Sequence, residues 1–492
     1  MKRIFLSALI LLFAINLFPA DFTLTHLSKG QSGNNRFPGV GENSKGERLV
    51  IWRSGNNRGM LFTYFKDGAW SKAAPIPQQR KTSGEYLGSD IVADSQNRFH
   101  VVWELMDDAA YYASFKDGTW TNPVEIPFPA KYEGFQISLD IRSNAAQDLR
   151  SNEELVLVAT CIYGGIYKDI TIGYLQQGES NFSRFKNLTN DDESSGSGAV
   201  AVDAKDHLWI AYKGEVFGKG EEILETCLIH LDQNNSLVDF TEVSEEQRGW
   251  AFLQWVAANK NTDMIMTTWW KDSGFFSRWY DQTTKTWSPI HPMGVGQGRQ
   301  PDFSMWSKVV AQGKDFYFIC KNGSHIPFLI KFDGETKAWG KPIQVSDKPT
   351  VYFDLFAGYE DVLIAFCTRD EPAQVYFTTF GGTPEILIKS PVNVRVEPRV
   401  ERSFFRGLWI NHVTWEDNPF NVGRDITIDH FNLYRKLKTG STYGSTPYQA
   451  NIPSNQLYFN DKDGIQATQI FDYAVTCVAT ISGKSVESKI VY

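Results

Sequence analysis

Beyond residue 20 the chain is built from short apolar stretches, rich in β-branched and aromatic residues and separated by Asp, Asn and Gly turns. That is the pattern of strands joined by tight turns. Ile91-Val92-Ala93-Asp94, a polar turn and Phe99-His100-Val101-Val102-Trp103 are matched by Val200-Ala201-Val202-Asp203, a polar turn and Leu208-Trp209-Ile210-Ala211-Tyr212. Each is a pair of antiparallel strands.

The pattern repeats. Tyr64-Phe65-Lys66-Asp67-Gly68-Ala69-Trp70, followed by Ile76-Pro77, returns as Ser114-Phe115-Lys116-Asp117-Gly118-Thr119-Trp120, followed by Ile126-Pro127, with echoes at Trp279 to Pro289 and Lys331 to Ile343. The full unit reads strand, turn, strand, variable loop, strand, Asp-Gly turn, strand, at a period of roughly fifty residues. Four antiparallel strands per unit predict a propeller blade. Seven units fit between Arg36 and Lys389, with second strands through Trp52, Trp103, Cys161, Tyr212, Trp269, Cys320 and Phe366; six blades are the alternative. Phe22 to Leu27 alternates like an outer strand and is expected to pair with the last unit and close the ring.

From Pro391 the pattern changes. Val392-Asn393-Val394, Val413-Thr414-Trp415, Phe431 to Arg435 and Phe471 to Ala479 read as strands of a seven-strand immunoglobulin-like sandwich. With its early Trp, Tyr-rich middle strand and late Tyr-x-Val strand, it resembles a fibronectin type III domain. At the other end, Lys2-Arg3, the apolar run Ile4 to Phe18 and Pro19-Ala20 have the layout of an export signal. About fifteen apolar residues fall short of the roughly twenty that span a bilayer. The expected organisation is a signal over 1–20, an all-β propeller over 21–389 and a fibronectin type III domain over 390–492. The protein is expected to be secreted, periplasmic or displayed at the cell surface, with no membrane insertion once the signal is cleaved.

Composition sharpens this picture. The 492 residues are 42% hydrophobic, which excludes dominant disorder, and the 34 Phe, 20 Tyr and 15 Trp suit strand-rich cores and sugar-binding surfaces. The net charge of −8, which becomes −10 when Lys2 and Arg3 are removed, argues against a nucleic-acid partner. The five cysteines, Cys161, Cys227, Cys320, Cys367 and Cys477, are widely spaced without a CxxC pair. They read as buried thiols, and neither a metal nor a cofactor is expected.

In a propeller the loops after the second strands line one face, and functional groups are sought there. The candidates are Arg53 and Arg58, Glu104, Asp107 and Asp108, Tyr163, Tyr167 and Asp169, Lys213, Glu215, Glu221 and Glu222, Trp269, Trp270, Lys271 and Asp272, Lys321 and His325, and Arg369, Asp370 and Glu371. Trp269, Trp270, Tyr163 and Tyr167 offer flat faces to sugar rings, while arginines and carboxylates fix hydroxyls and acidic groups.

The Asp-Gly-x-Trp turns resemble degenerate Asp boxes of the sialidases, although no copy meets the full Ser-x-Asp-x-Gly-x-Thr-Trp consensus. Asn35-Arg36-Phe37-Pro38 resembles the Arg-Ile-Pro segment whose arginine holds the substrate carboxylate in that family, and Arg53 stands where a further family arginine follows. Tyr352-Phe353-Asp354-Leu355 resembles the segment that carries the nucleophilic tyrosine. The resemblance implies that Arg36 and Tyr352 converge across adjacent blades. A tyrosine nucleophile needs a carboxylate base and a second carboxyl as acid, for which Glu215 and Glu104 are candidates by loop position. Completing an arginine clamp falls to Arg278, Arg299 or Arg369.

Three functions compete. The leading one is a secreted recognition protein whose propeller binds a glycan or extracellular protein, with the fibronectin type III domain as spacer or docking module. The second is a sialidase-like hydrolase, or a polysaccharide lyase with His325, His100 or His207 as base, acting on acidic glycans. The third is a structural surface component.

Overall fold

In the computed structural model the chain divides into two compact units, Met1–Glu385 and Ile386–Tyr492. The described residues are 22–55, 59–77, 86–105, 109–134, 136–142, 153–163, 167–189, 194–216, 223–244, 251–271, 274–293, 307–359, 361–381, 388, 390–403, 406–418, 421, 427–438, 443, 446–462, 471–481 and 484–488. Among them no helix is long and apolar enough to cross a membrane.

The first unit is a β-propeller. Its described residues form seven antiparallel sheets of four or five strands. Sheet one holds Arg36–Glu42, Arg48–Arg53, Met60–Lys66 and Ala69–Trp70 in that order. Sheet seven runs Thr350–Ala357, Asp361–Thr368, Val375–Gly381 and then Thr25–His26, from the start of the described chain. Thr25 pairs with Phe377 and His26 with Tyr376. The outer strand expected between Phe22 and Leu27 therefore joins the last sheet. Trp52, Trp103, Cys161, Tyr212, Trp269, Cys320 and Phe366 each lie in the strand second from the inside of a different sheet. The first strands pack on one another in chain order, and Thr350–Ala357 returns to Arg36–Glu42.

Period-two alternation becomes packing between sheets. In Arg48–Arg53, Leu49 and Ile51 pack with Ile91, Phe99, Val101 and Trp103 of sheet two. Val50 and Trp52 on the opposite side pack with Leu363, Ala365 and Cys367 of sheet seven. A strand buried on both faces has no polar side, which is why Phe99–Leu105 and Met264–Lys271 are buried at every position. Each large apolar side chain sealed this way contributes roughly 1.5–3 kcal/mol. All five cysteines are buried thiols.

The turns use two devices. Asp67-Gly68 (φ 51° and 81°) and Asp117-Gly118 (φ 49° and 83°) supply the two successive positive φ values of a tight hairpin between third and fourth strands. The second device is an Asx turn. Asp94 Oδ1 accepts the amides of Gln96 and Arg98, with Asn97 at φ 62°. Asn43, Asp203, Asp232 and Asn322 cap their turns through the same oxygen, with Gly46, Asp206, Asn235 and His325 at positive φ.

The described residues of the second unit form seven strands in two antiparallel sheets. One orders Val392–Ser403, Arg406–Glu416 and Tyr458–Asp461; the other orders Gln449–Pro453, His430–Leu437, Phe471–Ile481 and Lys484–Glu487. Val413 and Trp415 of one sheet share a core with Phe431, Leu433, Val475 and Cys477 of the other. This is a sandwich.

Candidate functional site

One end of the propeller is marked by irregular backbone. The first strands of sheets one, two, four, five and seven each carry a register shift near their start, at Arg36/Gly39, Tyr86/Ser89, Gly196/Ala199, Phe252/Trp255 and Thr350/Tyr352. Phe37 and Ser197, inside two of these shifts, have φ of 54° and 56°. Bulges turn side chains out of the regular alternation and gather beside binding sites. Those of sheets one, two, five and seven border a cavity of about 40 Å³ lined by Phe37, Glu104, Trp255, Lys308, Tyr352 and Asp354, among others. By that measure it holds a few waters and no sugar ring.

Polar groups in the cavity are tightly organised. Lys308 Nζ lies 3.0 Å from Asp90 Oδ1 and 2.8 Å from Asp354 Oδ1, and 5.1 Å from the centre of the Trp255 ring. Burial alone would lower the Lys308 pKa, but the two carboxylates outweigh it and hold the amine above its ordinary value. Each carboxylate also reaches to the next sheet. Val40 N donates to Asp354 Oδ2 at 2.8 Å, and Leu139 N to Asp90 Oδ2 at 2.9 Å. Val200 N likewise donates to Ser138 Oγ and Val202 N to Asp140 Oδ2. Acidic and hydroxyl side chains thus satisfy amides of neighbouring inner strands.

Glu104, the penultimate residue of Phe99–Leu105, is fully buried rather than on a loop. Burial raises its carboxyl to about 7, and the Tyr132 hydroxyl and Ile137 amide only partly oppose the shift. It is wedged between two glycines. A Cβ at Gly88 would come within 2.5 Å of Oε1, and one at Gly134 within 2.8 Å of Oε2.

Beside this cavity a wide pocket of about 610 Å³ opens to solvent, lined by Gly33, Asn34, Arg36, Arg53, Gly55, Glu371 and Pro372. Arg36 and Arg53 are direct cross-strand partners in sheet one. Phe37 packs against Tyr352 with ring centroids 3.9 Å apart and planes tilted by 35°, and Arg53 Cζ lies 5.3 Å from the centre of the Phe37 ring. Arg36 Nη2 is 3.5 Å from Oε1 of Glu371, which is 71% exposed. Arg36 Nε is buried and makes no hydrogen bond among the described residues. Asn34 fixes the facing turn by donating to Glu371 Oε1 at 3.2 Å and accepting from Ala373 N at 3.0 Å.

Of the residues expected here, the structure brings Arg36, Arg53 and Tyr352 together through Phe37. Arg369 is exposed in the turn before Glu371, its amide bonded to Pro349 O at 2.8 Å, and does not line the pocket. Trp269 and Trp270 are not loop residues: at 0% and 3% exposure they belong to the core between sheets, because their strand continues to Lys271. Tyr163 ends its strand half-buried, its hydroxyl 3.1 Å from Thr171 Oγ1; Tyr167 starts the next strand as its backbone partner. Asp169 is buried and accepts from Asn187 and Thr189. Lys271 and Lys321 are buried strand residues, and Lys213 lies inside its strand. His325 is the positive-φ residue of the Asn322 turn, which gives it a turn-forming role in place of a loop position chosen for ligand binding.

Arg278 is spent on structure. It donates to Ser288 O at 2.9 Å and Val243 O at 3.3 Å and lies over Trp287. Glu215 is in the strand Leu208–Val216, paired with Leu224, and its side chain lies outside the described residues. Arg58, Asp107, Asp108, Glu221, Glu222, Asp272 and Arg299 also lie outside them. Sequence reasoning missed Asp90, Lys308 and Asp354, which stand 46 or more positions apart and meet only when the ring closes.

No family model matches the sequence, and no curated protein matches it. Among solved structures the chain is similar to a Trypanosoma rangeli sialidase in complex with the inhibitor DANA, at 10% identity and TM-score 0.41 over 96% of this chain and 90% of that one. It is also similar to an ulvan lyase, at 10% identity and TM-score 0.45 over 74% and 97%. A protein of unknown function from Dyadobacter fermentans gives 9% identity and TM-score 0.44 over 74% and 98%.

Proposed function

We propose that this is an exported recognition protein whose seven-bladed propeller binds an acidic glycan in the Arg36/Arg53 pocket, with a C-terminal fibronectin type III domain as spacer or docking module. The observation that carries the reading is the cross-strand pair of arginines lining one open pocket, with an exposed glutamate as the Arg36 partner. A sugar carboxylate matches that arrangement. Guanidinium groups bind carboxylates through paired charge-assisted hydrogen bonds, and the exposed Glu371 contact is weak enough to be displaced. The strand order of the second unit, three strands facing four, supports the fibronectin type III assignment.

An enzymatic reading, hydrolysis or elimination at an acidic sugar, is favoured by one observation. Tyr352 and Glu104 line the same small cavity, so a sugar would have to be reached from the adjoining arginine pocket, and Glu104, held at about 7, is suited to hold or release a proton near neutrality. Calorimetry with sialosides and polyuronates tests the first reading, and product release from the same ligands tests the second. Binding without turnover, lost in Arg36→Ala and Arg53→Ala, is expected. Turnover abolished by Tyr352→Phe would replace recognition by catalysis. Unchanged binding in both arginine variants would place the ligand elsewhere.

A further inference from the structure

Sheet four carries a group of side chains that the glycan pocket does not use. His207, in the turn before Leu208–Val216, and His230, in the neighbouring strand Ile223–Leu231, are joined by a hydrogen bond between Nδ1 and Nε2, 2.9 Å apart, that a metal ion between the two nitrogens would replace. A carboxylate oxygen of Asp203 completes a set whose ligand atoms all lie within 4.8 Å of one another. Both histidines are half-buried, so the set is reachable from solvent.

The supports around this set are themselves fixed. Asp203 Oδ1 accepts the amides of Lys205 and His207 at 2.8 and 3.0 Å, and Trp209 Nε1 donates to Oδ2 at 3.0 Å. The Trp209 ring lies flat on His230, centroids 3.8 Å apart and planes at 12°. Asp239 stands directly across the strands from His230 and adds negative charge, as does Asp232. Hydrogen-bonded and stacked neighbours of this kind fix the orientation of metal-binding side chains.

Sheet two shows what the fold itself requires at these positions. Its Asp94 makes the same turn and binds His100 Nε2 at 3.2 Å, as Asp203 binds Trp209 six residues on. There Arg98 occupies the place of His207, and Ser114, the cross-strand partner of His100, the place of His230. The Asp turn and its aromatic donor are therefore parts of the blade, and both imidazoles are additions to it.

We propose that Asp203, His207 and His230 form a binding site for a divalent transition-metal ion of the zinc class, with a remaining position for water. Two imidazole nitrogens and one carboxylate suit zinc, nickel or copper and disfavour magnesium and calcium, which want oxygen ligands. Three protein ligands and one open position is the arrangement of a zinc that keeps water.

The test uses the full chain after EDTA dialysis. Zn²⁺ is titrated calorimetrically, and Co²⁺ is added as a spectroscopic probe. One Zn²⁺ per chain, visible Co²⁺ bands of a nitrogen and oxygen site, and no competition by an excess of Mg²⁺ or Ca²⁺ are expected. The variants His207→Arg and His230→Ser install the sheet-two residues, which the blade accommodates. Each is expected to weaken Zn²⁺ at least tenfold while circular dichroism and the thermal midpoint of the metal-free protein stay unchanged. Absence of stoichiometric Zn²⁺ binding, or equal Zn²⁺ affinity in folded variants, would overturn the site. Should His230→Ser lose its fold, His207→Arg decides alone, because its side chain sits in a turn that sheet two builds with arginine.

Discussion

Phe37 and Tyr352 meet across the junction of the first and seventh sheets, ring centroids 3.9 Å apart and planes tilted by 35°. That contact joins the open arginine pocket to the enclosed cavity, since Phe37 lies under Arg53 on one side and lines the cavity with Tyr352 on the other. Phe37 holds φ 54° inside a bulge, a conformation that a bulky residue adopts only when its surroundings over-determine it. Phe37→Ala removes the ring under Arg53 without changing charge. It is expected to weaken binding of an acidic oligosaccharide about tenfold by calorimetry, with a change of less than twofold for a neutral one. Equal losses for both ligands would show that the ring packs the sugar itself.

Lys308 is the hinge of the charge arrangement in the cavity. Replacing it by Met leaves Asp90 and Asp354 buried together without a cation, and breaking a buried ionic group in this way costs about 3–5 kcal/mol. Urea unfolding of Lys308→Met should show that loss at pH 7. It should shrink at acidic pH, where the Asp354 carboxyl, pushed up by burial, takes a proton. Lys308→Met combined with Asp90→Asn and Asp354→Asn should recover much of the stability, since amides still accept from Val40 N and Leu139 N. Failure of the triple variant to recover would assign the loss to packing against Trp255.

The two units differ in how one core residue reports on them. Trp415 is 2% exposed and packs edge-on to Phe431, centroids 5.5 Å apart, within the sandwich core. Trp415→Ala is expected to destabilise that unit by about 3–5 kcal/mol, lowering its calorimetric transition. Calorimetry with the acidic glycan should show unchanged affinity below that transition. A fall in glycan affinity would mean that the second unit contributes to binding.

Local signals carried the fold. Asp67-Gly68 and Asp117-Gly118 announce their hairpins because two successive positive φ values need those residue types, and the strand alternation of Leu49, Val50, Ile51 and Trp52 translates directly into cores on either side. The nearness of the Arg36 and Tyr352 segments was legible through their surrounding motifs and the neighbourhood of first and last sheets, although the two residues line different pockets. Burial was not legible. Trp269 and Trp270 sit at the end of a strand whose length depends on its partner Gly274–Asp281, so a loop there reads the same in sequence as two further core positions. The His207 and His230 pair escaped for a different reason. The two residues stand 23 positions apart and meet through the cross-strand pairing of Trp209 with His230, which spacing motifs of the CxxC kind do not encode.

Glu104 gives the clearest pH signature. Its carboxyl is held at about 7 in the folded chain against an ordinary value of 4.5, so between those values the folded state binds a proton that the unfolded state has released. The Glu104 contribution to stability therefore falls as pH rises from about 4.5 to about 7 and is flat on either side, by about 3 kcal/mol across the window. Glu104→Gln is uncharged at every pH and keeps the volume. Relative to the wild type it should be equally stable near pH 4.5 and more stable by about that amount at pH 8, in urea unfolding followed by tryptophan fluorescence. A wild-type minus variant difference that does not change with pH would mean that Glu104 is ionised throughout and paired by a cation. It would then be unable to hold the proton that the enzymatic reading asks of it near neutrality.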